Sequence, residues 1–174
     1  MFFAIIIAAV AAFLFYVSRK PYTFSLQRQI SINALPADIY PWINNLKNMN
    51  QWNPWSTQDA KSVIAYEGPE EGPGAIYTWA GGKMGQGKFQ IVDSKPLHIT
   101  CRLLMIKPMA ADNVVTFNLT PTSGPTTVIW SMSGKNGFIN KLMHTVMNMD
   151  KMVGRDFDKG LANLKSLVEQ KKLH

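Results

Sequence analysis

Between residues 61 and 134 the sequence reads as one strand after another, which leaves few folds open to the chain. Apolar and polar residues alternate within each segment, and glycine, proline or serine stands at every junction. This alternation is typical of strands with one buried face. The segments are KSVIAYEG, GAIYTWAG, GKFQIVD, LHITCRLLMI, NVVTFNLTP and TTVIWSMSG. With the similar segment TFSLQRQISIN at residues 23–33, they predict a meandering antiparallel sheet of about six to seven strands.

After the strands the period of the apolar residues changes. From Phe138 to Gln170 they recur every three or four positions, which predicts one long amphipathic helix. A shorter helix is predicted within LPADIYPWINNLKN, where Pro36 suits the first turn, and residues 47–60 are predicted to be irregular. A sheet of this size with one apolar-faced helix predicts an α+β fold in which the sheet wraps around the helix.

The first residues are strongly apolar. Residues 2–17 contain no charge, and Ser18, Arg19 and Lys20 follow. As a helix this run would span roughly 24 Å, a little less than the ~30 Å hydrocarbon core of a bilayer. A cleaved signal peptide is the alternative, but a basic start and a suitably placed cleavage site are missing. We therefore predict an uncleaved anchor at residues 1–20, a transmembrane helix that crosses the membrane with residues 2–18.

The rest of the chain, residues 21–174, is predicted to form one domain. Arg19 and Lys20 follow the apolar run directly, and the positive-inside bias then predicts that this domain lies on the cytoplasmic side of the membrane.

Charge and cysteine content exclude several classes of function. Lys and Arg outnumber Asp and Glu by 18 to 11, without a run of five like charges, so no nucleic-acid interface is predicted. Cys101 is the only cysteine, which excludes a disulfide framework and a metal site made of cysteines. The three histidines have no partner at ligand spacing. We therefore predict no metal site, no cofactor and no catalytic residue.

Four stretches of the sequence resemble the START-like helix-grip superfamily (SRPBCC), in particular its bacterial branch similar to polyketide cyclases and dehydrases. These stretches are ISINALPADIYPWINNL, QWNPW, YEGPEEGPGAIYTWAGGKMGQG and GRDFDKGLANLKSL. The resemblance covers about residues 23–170. It implies a helix-grip fold, in which a curved antiparallel sheet holds the C-terminal helix and a cavity between them takes apolar ligands. Fold alone does not establish a function.

Strand phase predicts which side chains reach such a cavity, because alternate residues of a strand share one face. The inward candidates from the sheet are Tyr77, Trp79, Met105, Phe117, Trp130 and Met132. The candidates from the long helix are Met143, Met147, Val153, Gly154 and Phe157. Methionine suits surfaces that repack around varied ligands, and a glycine inside a helix suggests close approach by the sheet or a ligand. An ordinary packed core accounts for the same residues.

Two further features each have two interpretations. QWNPW places Trp52 and Trp55 on either side of a proline that should end a helix. The two indoles either close the core or line the entrance of a cavity. Arg28 lies on the apolar phase of its strand, where an unpaired charge would be very costly. It either pairs with a structural carboxylate or binds the carboxylate or phosphate of a ligand.

The sequence thus favours a membrane-anchored binding module for a hydrophobic small molecule or lipid, without catalysis. One alternative is a cyclase, aromatase or dehydratase that acts on a polyketide-like substrate, which would require polar groups such as Arg28 and Tyr77 to converge. Another is an interaction or stress-related scaffold with a vestigial pocket. The identity of the ligand, the protein partners and the oligomeric state do not follow from the sequence.

Overall fold

A computed structural model describes residues 2–58, 61–82, 84–135, 137–146 and 149–171. In these residues the chain forms seven strands and six helices. The strands are β1 (Thr23–Ile32), β2 (Val63–Glu67), β3 (Ile76–Ala80), β4 (Gln86–Lys95), β5 (His98–Lys107), β6 (Ala111–Pro121) and β7 (Thr126–Lys135). The helices are α1 (Phe2–Ser18), α2 (Pro36–Asn44), α3 (Leu46–Trp52), α4 (Pro54–Gln58), α5 (Phe138–Val146) and α6 (Met149–Lys171).

The seven strands form a single antiparallel sheet in the order β1-β7-β6-β5-β4-β3-β2. Strands β2 to β7 pair with their neighbours in the sequence, and β1 pairs with β7 at the far edge. The predicted meander is confirmed. The predicted inward face is also found: on β6, Val115, Phe117 and Leu119 are buried, whereas Val114 on the opposite face is exposed.

Helix α6 packs on the inner face of the sheet, mainly against β1 and also against β7, α3 and α4. Its buried residues Phe157, Leu161, Leu164 and Val168 recur at helical spacing and form one apolar stripe. Burying each of these side chains stabilises the fold by roughly 1.5–3 kcal/mol. The helix-grip arrangement that the sequence predicts is therefore present.

The described residues of the C-terminal periodic stretch form two helical segments. These are α5, which contacts α1, and α6, which contacts the sheet. Residues 147–148, between α5 and α6, lie outside the described residues, so the continuous helix from Phe138 to Gln170 stays a prediction. The apolar residues keep the same spacing in both helices, so the pattern does not reveal that the two helices have different packing partners.

The segment predicted to be irregular contains two short helices. The Asn45 side chain begins α3 by accepting hydrogen bonds from the backbone N–H groups of Lys47 and Asn48, at 2.9 and 3.2 Å. Asn53 ends α3 in an extended conformation, and Pro54 then begins α4. Proline stops the first helix as predicted, but its fixed φ also suits the first turn of the next one.

The predicted membrane anchor is not supported. Helix α1 has 17 residues, fewer than the roughly 20 of a typical spanning helix. No helix in the described part of the chain is both long and apolar enough to cross a bilayer. The predictions that residues 2–18 are a transmembrane helix and that the domain is tethered on the cytoplasmic side are therefore wrong.

Gly160 lies where α6 closely approaches two rigid rings, and this predicts an effect on stability. A Cβ atom at Gly160 would lie 2.8 Å from Trp130 Cζ3 and 3.0 Å from Pro54 Cδ, and both neighbours are stiff rings. Alanine would gain about 1 kcal/mol of helix propensity, but overpacking typically costs about 1–3 kcal/mol. We expect Gly160→Ala to lower the free energy of unfolding, measured by urea denaturation, by about 1 kcal/mol.

The matched control is Gly124→Ala, since a Cβ atom there would meet no other atom within 4 Å. We expect this variant to stay within about 0.5 kcal/mol of the wild type. A Gly160→Ala variant more stable than the wild type would contradict the close contact between helix and sheet.

Candidate functional site

A cavity of about 430 Å³ lies between the inner face of the sheet, the short helices α3 and α4, and the first turns of α6. This volume is typical of small-molecule sites, which range from roughly 300 to 1,000 Å³. Its wall is rich in sulfur and aromatic rings. The lining residues are Met49, Trp52, Asn53, Trp55, Tyr77, Trp79, Met84, Phe89, Leu103, Met105, Pro108, Asn113, Val115, Trp130, Met132, Met152, Val153 and Phe157.

Trp130 on β7 is the centre of the aromatic part of the wall. Its ring stacks on Phe157 of α6, with centroids 4.0 Å apart and planes 9° apart. Trp52 and Trp55 approach the same indole edge-on, with centroids at 5.4 and 5.9 Å. Aromatic pairs of this kind contribute about 0.5–1.5 kcal/mol each beyond the area they bury. The cluster therefore fixes α3, α4 and α6 against one strand.

The two tryptophans of QWNPW have different environments. Trp52 is fully buried, and its Nε1 donates a 2.8 Å hydrogen bond to the carbonyl oxygen of Trp42. Trp55 is only partly buried, and its Nε1 donates to Asp156 Oδ2 on α6 at 3.2 Å. Both line the cavity. Trp52 is thus part of both the hydrophobic core and the cavity wall. Trp55 connects α4, on one side of the cavity, to α6.

Tyr77 on β3 places a phenol in the wall. Burial raises the pKa of this phenol well above its usual range, and the neighbouring Tyr66 adds to the rise. Hydrogen bonding with the Asn53 and Ser56 side chains acts in the opposite direction but is outweighed. Tyr77 is therefore an uncharged group at neutral pH, able to donate or accept a hydrogen bond.

Two buried polar atoms of the wall have no hydrogen-bond partner among the described residues: Asn113 Oδ1 and Trp130 Nε1. Their residues are only 7% and 4% exposed. Asn113 lies opposite Gly134 in the pairing of β6 with β7, and its oxygen occupies the space that a side chain at position 134 would fill. Leaving a buried polar atom unsatisfied costs about 1–3 kcal/mol.

Nine of the fourteen residues predicted from the sequence line the cavity. They are Trp52, Trp55, Tyr77, Trp79, Met105, Trp130, Met132, Val153 and Phe157. Their role in binding remains a prediction, because a position in the cavity wall does not show that a residue contacts a ligand.

The other predicted residues lie elsewhere. Phe117 is fully buried behind Trp52 and Trp130. Met143 belongs to α5 and is not part of the wall, and Met147 is outside the described residues. Gly154 faces the sheet, where the Arg28 guanidinium lies against it.

Arg28 is not part of the cavity wall and lies beside a carboxylate. Its Nε lies 3.5 Å from Asp158 Oδ2, and its Nη1 donates to the carbonyl oxygen of Gln27 at 2.8 Å. The structure therefore supports the first of the two interpretations, a structural pair. The prediction of Arg28 as a ligand-binding residue is not supported by its position, because α6 at Gly154 covers the guanidinium.

Sequence analysis missed half of the cavity wall. Strand phase predicted Leu103 and Val115 to face inward but did not single them out as site residues, and it could also have found Phe89 and Asn113, which lie on inward positions. Met49 and Asn53 belong to helix α3 and its C-terminal cap, in a segment predicted to be irregular, so no face could be assigned to them. Met84 and Pro108 come from turns, where no periodic pattern exists.

The described residues of the cavity wall provide apolar contact surface and few reactive side chains. Tyr77 is its only ionisable side chain. The described residues contain no group of three or more His, Cys, Asp or Glu placed to hold a metal ion. Cys101 does not line this cavity, and burial raises the pKa of its thiol well above the usual range, which keeps the thiol protonated at neutral pH.

The raised pKa of Tyr77 predicts how stability depends on pH. In the unfolded chain a phenol ionises near pH 10, whereas folded Tyr77 keeps its proton to higher pH. Above about pH 10 the unfolded state therefore binds fewer protons than the folded state, and the free energy of unfolding falls as the pH rises. Below that pH both states are protonated and Tyr77 contributes no pH dependence.

We expect the free energy of unfolding of the wild type to fall more steeply above about pH 10 than that of Tyr77→Phe. The measurement is urea denaturation at a series of pH values on both sides of this point. Tyr22→Phe, at an exposed tyrosine, should keep the slope of the wild type. Equal slopes for the wild type and Tyr77→Phe would show that the phenol is not buried.

Several solved structures have the same fold. Protein MLL2253 from Mesorhizobium loti superposes with a TM-score of 0.63 at 12% identity, covering 84% of this chain and 98% of its own. CV1439 from Chromobacterium violaceum gives 0.58 at 18% identity, with 86% and 99% covered. The Aha1 dimer from Colwellia psychrerythraea gives 0.55 at 15% identity, with 82% and 96% covered. At these identities the likeness shows the fold alone.

The sequence itself also carries a family signature. No curated protein showed significant sequence similarity to this chain. The family described as polyketide cyclase / dehydrase and lipid transport, in contrast, matches residues 23–169. This match covers the whole sheet and nearly all of α6, and it agrees with the superfamily that the sequence resembles. The chain belongs to the polyketide cyclase/dehydrase and lipid transport family.

Proposed function

We propose that this protein binds an apolar or lipid-like small molecule in the cavity between the sheet, α3, α4 and α6, and does not transform it chemically. The observation that carries this proposal is the wall itself, which consists mainly of five methionines, four tryptophans and two phenylalanines around about 430 Å³. A molecule in this space would exchange water for close contact with apolar side chains, at roughly 25 cal/mol per Å² of apolar surface removed from water.

The two kinds of apolar side chain suit a site that takes related ligands. Trp52, Trp130 and Phe157 hold one another in fixed edge and stacked contacts. Methionine is unbranched and flexible, so Met105 and Met132 on the sheet can adjust to ligands of different outline. One side of the cavity is thus rigid and aromatic, and the other carries flexible thioether side chains. Such a cavity favours a class of related ligands over a single ligand of one exact shape.

The family supports the same function. Its description joins polyketide cyclases and dehydrases with lipid transport, and lipids and polyketides are molecules with large apolar parts. For this chain the lipid-transport part of the description has the better support. Tyr77 is the only ionisable group in the described wall, and its raised pKa keeps the phenol protonated, so that it is a poor base at neutral pH.

The two alternatives have less support. A cyclase or dehydratase was expected to bring Arg28 and Tyr77 together, but Arg28 lies beneath Gly154 and beside Asp158, outside the cavity. A scaffold with a vestigial pocket was expected to have a closed interior, whereas a cavity is present.

Two adjacent valines on β6 give a matched test of the proposal. Val115 lines the cavity, and Val114 is exposed on the opposite face of the same strand. The probe is N-phenyl-1-naphthylamine, an uncharged dye whose fluorescence rises in apolar surroundings. We expect Val115→Phe to weaken its binding by about tenfold or more, because the added ring occupies ligand space, a loss of about 1.4 kcal/mol.

Val114→Phe should bind the dye as the wild type does, and circular dichroism should show that both variants are folded. An equal loss in both variants would place the dye outside the cavity. If the wild type binds no dye, and native mass spectrometry shows no apolar molecule bound to the purified protein, the proposed function is wrong.

A further inference from the structure

Strand β2 forms one end of the sheet, and its outer edge is open. In the described part of the chain β2 pairs with β3, and no strand lies on its other side. All five of its residues are exposed, including Val63 at 72%, Ile64 at 36% and Tyr66 at 43%. A free edge of this kind presents backbone N–H and C=O groups that can pair with another strand.

The edge lacks the usual protection against such pairing. Proteins commonly protect an edge strand with a lysine, a proline or a β-bulge. Residues 63–66 read VIAY, and they pair with β3 in unbroken register. The strand at the other end of the sheet is better covered, since α6 packs on β1 and Leu26 and Ile32 are buried there. The β2 edge is therefore apolar, regular and accessible to a partner strand.

The register with β3 fixes the face on which each β2 side chain lies. Ile64 lies opposite Trp79 and Tyr66 lies opposite Tyr77, and both of these partners line the cavity. Directly opposite residues of antiparallel strands have their side chains on the same face. Ile64 and Tyr66 therefore continue the inner face of the sheet, and a further strand at this edge would bury them against its own inner-face residues.

The two ends of β2 carry opposite charges. Lys61 lies two residues before the strand, Glu67 is its last residue, and Glu70 and Glu71 follow. All four side chains are exposed. When two copies of this strand pair antiparallel, the basic end of each lies beside the acidic end of the other. Parallel pairing in register would instead bring like charges together. The charge pattern therefore fits a second copy of the same strand in antiparallel orientation.

Symmetry restricts how two copies can pair. Two identical antiparallel strands are related by a two-fold axis perpendicular to the sheet, so the inner faces of both copies lie on the same side. Two registers pair most of β2, one centred on Ile64 and one centred on Ala65. In the first, continuing the strand direction to residue 61 places Lys61 opposite Glu67 of the second copy. In the second register the same two residues are diagonal neighbours, which long side chains still bridge.

We infer that β2 is an interaction surface for a second copy of this chain, and that the two β2 strands pair antiparallel and join the two sheets edge to edge. The result is one continuous sheet with seven strands from each copy. Backbone hydrogen bonds, the burial of Ile64 and Tyr66, and two ion pairs between Lys61 and Glu67 stabilise the contact. A single strand pair is smaller than a standard interface of about 1,600 Å², so the association depends on concentration.

Charge reversal at the two ends of β2 tests the contact. Lys61→Glu brings acidic side chains together across the strand pair, and Glu67→Lys brings basic ones together. Each variant should raise the dissociation constant of the dimer by about tenfold. The double variant has opposite charges again and should associate as the wild type does. The measurement is sedimentation velocity of the full chain from low to several hundred micromolar, at one salt concentration.

A mixture of the two single variants provides a stricter test. In a mixed dimer each acidic side chain lies opposite a basic one, so the mixture should associate about as tightly as the wild type, although neither variant alone does. Lys135→Glu is the matched control, because it makes the same change of charge at an exposed residue of β7, near the other end of the sheet. It should keep the dissociation constant of the wild type, and circular dichroism should show that all variants are folded.

Chemical cross-linking measures the proximity of the two strands independently. Cys101 is the only cysteine and is buried, so an introduced exposed thiol is the one that reacts. Ile64→Cys and Ala65→Cys each place this thiol at the centre of one of the two registers, where opposite Cα atoms are about 5 Å apart. At least one of these variants should give a covalent dimer with a short bismaleimide. Val114→Cys, exposed on the outer face of β6, should not.

Three results would overturn the inference. The first is a wild type that stays monomeric over the whole range of concentration. The second is an association of unchanged strength in both Lys61→Glu and Glu67→Lys, which would assign the contact to another surface of the chain. The third is the absence of a covalent dimer in both cysteine variants. None of these results bears on ligand binding in the cavity, so the proposed function is tested separately.

Discussion

The stack of Trp130 on Phe157 is the contact on which the rest of the structure depends. It joins β7 to α6 with ring centroids 4.0 Å apart, and Gly160, one turn further along α6, lets the helix approach the same indole. Beyond this point the helix is packed solidly, with Leu161, Leu164 and Val168 buried in the core. Before it, Val153 and Met152 face a cavity. Phe157 is therefore the boundary between the packed and hollow halves of the domain.

The polar groups of the cavity wall also fall into two sets, those with a hydrogen-bond partner in the protein and those without one. Those that are satisfied tie elements together: Trp52 to the end of α2, and Trp55 to Asp156 on α6. Those that are unsatisfied, on Asn113 and Trp130, belong to strands whose places are already fixed by the sheet ladder. The fold does not use these two atoms for hydrogen bonds of its own.

A substantial part of this arrangement could be predicted from the sequence. Strand phase identified the inward positions of β6 and β7 because alternation and burial have the same period of two. It could not separate Phe117, which is packed on all sides, from Met132, which lines the cavity. Both are apolar residues on the same face, and a void depends on the volumes of side chains that arrive from distant parts of the chain.

The sequence by itself determined the strands, the faces of the sheet and the family, because these depend on local periodicity and on a collinear pattern of residues. Only the tertiary structure decided which residues surround the cavity and what Arg28 does. The partner of Arg28 is Asp158, and the glycine that covers it is Gly154, more than a hundred residues away in the sequence. Strand phase required Arg28 to have a partner, but which carboxylate comes near depends on how α6 crosses β1, and no local pattern encodes that crossing.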